Sequence, residues 1–364
     1  MTAVVDFASV AEKVRARQPL SRAEGVFLYK EAPFHALGKL AHEKRTALNG
    51  MRAYYVLKRY LNTTNVCYAG CKFCSFAAHE KEPRAYRMTA QQILDKACAA
   101  PVDYDELHIV GGHDPKQTSL EFWLPVIAQL HERIPHVQLA LFTAAEIDYM
   151  CKRARCSYEE GLRRLRDAGL TSLNGGGAEI LVKRVRALVC PRKASAEEWL
   201  EVHRVAHHLG IKTNCTMLYG HVETIEERVE HLALLQELQA ETGGFKCFVP
   251  LAFHPEDNDL EACGWTGGAD DLRTIAVSRL MLDNIEHIKA YWISYGIKLA
   301  QLGLHFGADD IDGTVHNEQR IYRDAGSTTD QSTSAAQLRR SIEEAGFVPT
   351  RRNLLYDLME TASA

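Results

Sequence analysis

The chain has 364 residues, 46% hydrophobic and 25% charged, with a formal net charge of -4. That balance is ordinary for a globular protein and excludes a nucleic-acid or anionic-membrane surface as the main partner. No run of about 18 apolar residues occurs and Met1–Gln18 lacks a basic-then-apolar leader, so a cytoplasmic location with no membrane partner is expected.

Residues up to about Gly50 read as helices, with Ser21 and Glu24 spaced as a capping box before an apolar run. Beyond them, short β-rich runs alternate with longer helical patterns. The pattern predicts strands over 54–60, 106–110, 137–142, 170–173, 212–218, 246–251, 290–293 and 303–306. It predicts helices over 90–99, 120–133, 158–168, 196–209, 225–239 and 270–284. Ser195 and Glu198 make a second capping box, and Gly210 stands where a helix C-terminal glycine belongs. Such alternation predicts parallel strands joined by right-handed crossovers. The expected fold is α/β: a (β/α)8 TIM-type barrel over 51–310, fully or imperfectly closed. An N-terminal helical extension (1–50) precedes it, and a C-terminal helical extension (311–364) packs on it. Chemistry on such barrels gathers on the loops after the strand C-termini, and every motif below falls there.

Ten cysteines call for an explanation. Cys98, Cys151, Cys156, Cys190, Cys215, Cys247 and Cys263 are scattered and read as small buried hydrophobes, with Cys151 and Cys156 a minor redox or metal candidate. Cys67, Cys71 and Cys74 differ: they form C-x3-C-x2-C directly after the first strand. Thiolates suit iron–sulfur clusters, which ordinarily take four cysteines. Three on one loop would leave one iron open, and S-adenosylmethionine (SAM) can chelate it through its amino and carboxylate groups. One electron passed to the sulfonium would then release a 5′-deoxyadenosyl radical. Gly70 fits the tight wrap of such a loop, and Phe73 is placed to pack on an adenine. Two other readings stand beside this one: a Cys3His zinc site with His79, or three plain buried thiols.

Gly111 and Gly112 end the second predicted strand, where bare backbone admits a ligand, or else makes a simple turn. In Asn174-Gly175-Gly176-Gly177-Ala178-Glu179, Glu179 is a candidate acceptor for ribose hydroxyls or the methionine ammonium, against a solvated loop carboxylate. Leu218 and Tyr219, followed by Gly220, are candidates to pack around an adenine, while Met217 reads equally as core. His254, before Pro255 at the end of the sixth strand, is the candidate catalytic residue, against a satisfied structural histidine. Asp309, Asp310 and Asp312 read as a polar wall or a solvated loop.

With these blocks in hand, the sequence resembles the aminofutalosine synthase family of the futalosine route to menaquinone. The resemblance rests on Thr64-Asn65-Val66-Cys67 through Phe76, Gly175 through Ile180 and Lys193-Ala194-Ser195-Ala196-Glu197-Glu198-Trp199. It continues in Thr216-Met217-Leu218-Tyr219-Gly220-His221, Pro250-Leu251-Ala252-Phe253-His254-Pro255 and Phe306-Gly307-Ala308-Asp309-Asp310, covering roughly residues 20–355. The cysteine motif is common to the radical SAM superfamily. The other blocks point to a narrower group that includes the dehypoxanthine futalosine cyclase and the deazaflavin-ring synthases. One departure is plain: where the family pattern runs Gly-Gly-Leu-His-Pro, this chain has Gly111-Gly112-His113-Asp114-Pro115. Any role of that histidine passes to His113 or Asp114, or the substrate differs.

The resemblance implies a 4Fe-4S cluster on Cys67, Cys71 and Cys74, and SAM as a consumed cosubstrate held by Phe73, Gly111, Gly112, Glu179, Leu218 and Tyr219. It implies a small-molecule substrate, 3-(1-carboxyvinyloxy)benzoate. The adenosyl radical adds to its enol-ether double bond, and rearrangement with decarboxylation gives 6-amino-6-deoxyfutalosine. The enzyme would be a C–C bond-forming transferase, with an electron donor such as a flavodoxin or ferredoxin. His254 would bind a substrate carboxylate or move a proton, with Arg87 and Lys298 as further cationic candidates. The nearest rival is the cyclase, in which the radical abstracts hydrogen.

Overall fold

The computed structural model describes residues 5–316, 321–327 and 332–359, so parts of the terminal extensions lie outside the described residues. Three helices come first: α1 (Phe7–Arg15), α2 (Arg22–Lys30, opened by the Ser21/Glu24 capping box) and α3 (Phe34–Asn49). The chain then enters β1 (Arg52–Val56) and, after a break at Leu57, β2 (Lys58–Asn62).

From β2 onward, strands and helices alternate. The strands are β3 (Glu106–Val110), β4 (Gln138–Thr143), β5 (Ser172–Asn174), β6 (Thr213–Tyr219), β7 (Phe245–Ala252) and β8 (His287–Ile288). Between them run α4 (Ala90–Ala97), α5 (Leu120–Arg133), α6 (Ala144–Ala154), α7 (Tyr158–Ala168), α8 (Lys183–Val189), α9 (Ala196–His208), α10 (Ile225–Thr242) and α11 (Gly268–Met281). Strands β2 to β8 form one seven-stranded parallel sheet in sequence order. This is the predicted α/β barrel architecture. After β8 come α12 (Trp292–Tyr295), α13 (Ile297–His305), β9 (Asp310–Gly313), β10 (Val315–His316), α14 (Ile321–Asp324), β11 (Ser332–Thr333), α15 (Ala335–Glu344) and β12 (Val348–Arg351). No helix among the described residues is long and apolar enough to cross a membrane.

The two-residue period of a strand sorts side chains by face. Leu61, Leu107, Ile109, Leu139 and Leu141 pack outward into the apolar core beneath the helices. Lys58, Tyr60 and Asn62 of β2, with Glu106, His108 and Val110 of β3, face a central cavity. The register pairs Lys58 with Glu106, Tyr60 with His108 and Asn62 with Val110, so the inward side chains stand in levels.

The seam between β8 and the start of the circuit differs from prediction. A single parallel bridge, Lys289 to Asp310, joins β8 to β9, and β9 then pairs with β1. The predicted strand over 290–293 is instead the approach to α12, whose Trp292 Nε1 donates to the Gly313 carbonyl at 3.0 Å. The run over 303–306 ends α13; its buried Ala300, Gly303 and Leu304 carry the helical three-and-four spacing. The strand that takes this place is β9, fully buried and half acidic, so no apolar pattern announces it.

Candidate active site

Residues 63–89 leave β2 as an irregular loop pinned at several points. Cys67 N donates to Ala78 O at 3.1 Å, Lys72 N to Val189 O at 2.8 Å, and Tyr68 N to His113 O at 3.2 Å. The His113 amide in turn donates to Cys67 Sγ at 3.3 Å. Gly112 is what lets the two turns meet. A Cβ there would stand 2.1 Å from Val66 O and 2.9 Å from Cys67 Cβ, which no side chain tolerates.

This loop delivers Cys67, Cys71 and Cys74, all free thiols, to one wall of a cavity of about 300 Å³ inside the barrel mouth. Burial pushes the Cys71 thiol well above its ordinary range, with Lys193 opposing; burial and the neighbouring Cys67 do the same to Cys74. As bare thiols they hold their protons, and a metal must displace those protons to bind. Zinc would ask its ligands to converge on one point at about 2.3 Å. Among the described residues no three His, Cys, Asp or Glu groups converge in that way, and His79 is exposed and off the cavity. A cubane instead takes each thiolate on its own iron. Three soft donors on a single cavity wall, with bare backbone at Gly112 behind them, fit such a cluster.

Phe73, Gly111, Gly112, Glu179 and Leu218 line the same cavity. Glu179 is buried and sits in the left-handed region, at φ 46°, an uncommon conformation for a non-glycine residue that recurs at functional sites. The glycine run before it lies flat on its neighbours. Thr216 Oγ1 donates to Gly175 O at 2.7 Å, Trp199 Nε1 to Gly176 O at 3.2 Å, and Leu218 N to Glu179 O at 3.0 Å. Burial alone would raise the Glu179 carboxyl, but Lys193 and Arg186 outweigh it and hold it below the usual carboxylate range.

Tyr219 is placed elsewhere. It is the strand neighbour of Leu218 and points to the opposite face, where its hydroxyl donates to Asp271 Oδ1 at 2.7 Å. His254 lines the cavity, its ring 4.7 Å from Trp265 and 5.0 Å from Tyr322 between centroids. Its Nε2 lies 3.0 Å from the Ser294 carbonyl, which fixes the proton there, and its buried Nδ1 has no hydrogen-bond partner among the described residues. Burial lowers its pKa, so the ring is neutral.

The glycine-pair departure resolves into two tasks. His113 faces the cavity and packs on Tyr149 at 4.9 Å. Asp114 is fully buried off the cavity, where Arg87 Nη2 donates to Oδ1 at 2.8 Å and Thr64 Oγ1 to Oδ2 at 3.4 Å. Arg87 is therefore a brace for the cysteine loop, and Lys298 lies exposed on α13; neither lines the cavity.

Among the described residues, the cations on the cavity are Lys193, Lys58 and Lys289, none of them a candidate from sequence. Lys193 donates to Glu179 Oε1 at 2.7 Å and stands 5.5 Å from the Phe73 ring centre. Lys58 and Lys289 both contact Asp312 at the opposite end. Asp309, Asp310 and Asp312 are likewise buried and paired, with Arg279, Arg352 and the two lysines respectively, and form no solvated loop.

Comparison with known proteins adds the following. The Radical SAM superfamily family model matches residues 61–235, and the CofH/MqnC C-terminal region matches 242–364. The chain is 43% identical over 353 residues to aminodeoxyfutalosine synthase of Thermus thermophilus, covering 95% of this chain and 94% of the relative. It is 39% identical to the enzyme of that name from Streptomyces coelicolor, covering 96% and 92%. To cyclic dehypoxanthine futalosine synthase of the same organism it is 35% identical, covering 98% and 90%. Among solved structures, the FeFe-hydrogenase maturase HydG from Carboxydothermus hydrogenoformans aligns with a TM-score of 0.76 at 17% identity, covering 96% of this chain and 80% of that one. Methylornithine synthase (PylB) aligns at 0.74 and 18%, covering 94% and 97%; both likenesses concern the fold alone.

Proposed function

The chain belongs to the radical SAM superfamily, and from that membership we propose that it converts SAM and 3-(1-carboxyvinyloxy)benzoate into 6-amino-6-deoxyfutalosine for menaquinone biosynthesis. The observation that carries the reading is one cavity with three thiols on one wall and ammonium groups at both ends, room for a sulfonium cosubstrate and a dianionic substrate side by side. Identity of 43% and 39% to the two synthases, against 35% to the cyclase, supports the same choice.

When bound, a 4Fe-4S cluster supplies the electron that splits the SAM sulfonium, and the adenosyl group so freed adds to the enol ether, with rearrangement and decarboxylation. The protein's residues bind, orient and exclude water. Cys67, Cys71 and Cys74 hold the cluster. Glu179 and Lys193, ionised and adjacent, match the ammonium and carboxylate of the methionine half. Phe73 and Leu218 supply apolar contact for the adenine, and bare backbone at Gly111 and Gly112 admits the ligand. His254, neutral, offers Nδ1 as the acceptor of a proton or hydrogen bond while Ser294 fixes the other nitrogen. Tyr219 is a support beneath this wall, through Asp271.

A cytoplasmic location, an electron donor such as a flavodoxin or ferredoxin, and the division at residues 50 and 310 belong to the same proposal. Anaerobic incubation of the reconstituted protein with SAM, reductant and the enolpyruvyl benzoate, followed by mass analysis, tests it. An adenosyl-bearing adduct with free methionine is expected. Free 5′-deoxyadenosine without adduct would instead assign the hydrogen-abstracting cyclase reaction.

A further inference from the structure

The end of the cavity away from the thiols is charged, whereas barrel interiors are mostly filled with branched apolar side chains. Lys58 begins β2 and Lys289 follows β8, and both face the cavity. Lys58 contacts Asp312 Oδ2, and Lys289 donates to Asp312 Oδ1 at 2.7 Å. An ammonium has three N–H donors. Lys58 Nζ also stands 4.3 Å from the Tyr60 ring centre, and Lys289 has no second hydrogen-bond acceptor among the described residues, so the pair keeps N–H donors for a ligand. Asp312, at φ 75°, is held ionised: burial would raise it, but Lys289 and Lys58 drive it far below its ordinary value.

The floor carries charges of both signs: Lys58 and Lys289 face the cavity together with Asp312 and Glu106, whereas Lys246, Asp310 and Arg352 do not line it. Buried ammonium groups are costly unless acceptors meet their donors, and a ligand carboxylate reaching this floor would supply such acceptors. One level nearer the mouth, Tyr60 and His108 stand with ring centroids 4.6 Å apart, and the Tyr60 and Tyr291 hydroxyls lie 3.0 Å apart. Lys58 and Asn62 are four residues apart on β2, roughly 13 Å at about 3.3 Å per residue. An aromatic acid whose carboxylate rests on the floor lies with its ring among these aromatic side chains and its far end near the thiols.

We propose that the Lys58–Lys289 pair, bridged by Asp312, is the seat of the substrate's ring carboxylate and orients the enol ether toward the barrel mouth. The inference rests on the reading under Proposed function and adds the end-to-end direction of the substrate.

The test compares 3-(1-carboxyvinyloxy)benzoate with (1-carboxyvinyloxy)benzene, which lacks only the ring carboxylate, in the wild type, Lys58→Gln and Lys289→Gln. The wild type is expected to show a KM about 10- to 100-fold lower for the benzoate, the worth of a charge-assisted hydrogen bond or two. In either variant that preference collapses, chiefly through KM for the benzoate, while SAM affinity and the cluster's visible absorbance are unchanged. A preference retained in both variants overturns the assignment. Should the variants not fold, equal KM values for the two acids in the wild type overturn it alone. Adduct formation by the wild type reports separately on the parent reading; without an adduct, that reading and this one fall together.

Discussion

Lys193 Nζ lies 2.7 Å from Glu179 Oε1, and both residues face the cavity that holds the three thiols. The pair joins the glycine-rich turn after β5 to the loop after α8. Its burial makes each partner depend on the other, since removing one charge of a buried pair costs about 3–5 kcal/mol.

Glu179→Gln therefore has two expected effects. The melting temperature falls, because Lys193 keeps its charge without its partner, and SAM affinity falls by about tenfold or more, or about 1.4 kcal/mol. Anaerobic titration calorimetry on cluster-loaded protein reads the second. Unchanged affinity would remove Glu179 from the SAM site.

Gly112→Ala probes the cysteine loop without touching a cysteine. The new methyl group would meet Val66 O at 2.1 Å and Cys67 Cβ at 2.9 Å, so the loop must move. Iron content per chain should drop well below that of the wild type after identical reconstitution, with far-ultraviolet circular dichroism preserved.

Cys71→Ala should abolish the brown chromophore and all turnover while the barrel stays folded, since this residue is only partly buried and lies at the edge of the apolar core. Iron analysis and circular dichroism check both halves. Retained activity would overturn the ligand assignment.

Glu146 gives a pH-dependent stability. It caps α6, accepting from Thr143 N at 2.7 Å and from Gly111 N at 3.0 Å, yet burial raises its pKa to about 7, with those hydrogen bonds opposing. The folded state then binds a proton more tightly than the unfolded chain. This contribution is full below about pH 4.5 and is lost as pH rises toward 7, a change of about 3 kcal/mol by linkage. Urea midpoints at pH 5 and pH 7.5 should differ less in Glu146→Gln than in the wild type.

His254→Ala should lower the yield of adduct per SAM cleaved, because the side chain faces the cavity and is not among the cluster ligands. The ratio of product to methionine, measured in one incubation, distinguishes this from a general loss of folding. Because burial keeps the ring neutral, any inflection due to His254 in the wild-type rate profile lies on the acid side of its ordinary range near 6.5.

What could be read from the sequence follows from how local the signal is. The helices Leu120–Arg133 and Tyr158–Ala168 and the strand Glu106–Val110 have the predicted limits because serine caps and apolar alternation mark them. β9 escaped because Asp310 and Asp312 hide a fully buried strand behind charges that are neutralised only by residues far along the chain. Lys193 escaped for the same reason: its partner is fourteen residues away and is met only once α8 has turned the chain. Lys58 lies inside a predicted strand but carries no motif of its own, and only the register sets it beside Glu106. Leu218 and Tyr219 are both expected at the adenine from sequence, but neighbours on a strand point to opposite faces, and only Leu218 faces the cavity.

The bridge between Lys289 and Asp310 laces β8 to β9 by a single pairing, as Leu173 and Thr213 do between β5 and β6. At the β8–β9 seam the ionic lattice of Lys58, Lys289, Asp312 and Arg352 adds to the fastening. A designer who recolours the pocket by exchanging either lysine also loosens a stave of the cask. Substrate choice and mechanical soundness are therefore held by the same handful of atoms, and a redesign of one must re-rivet the other.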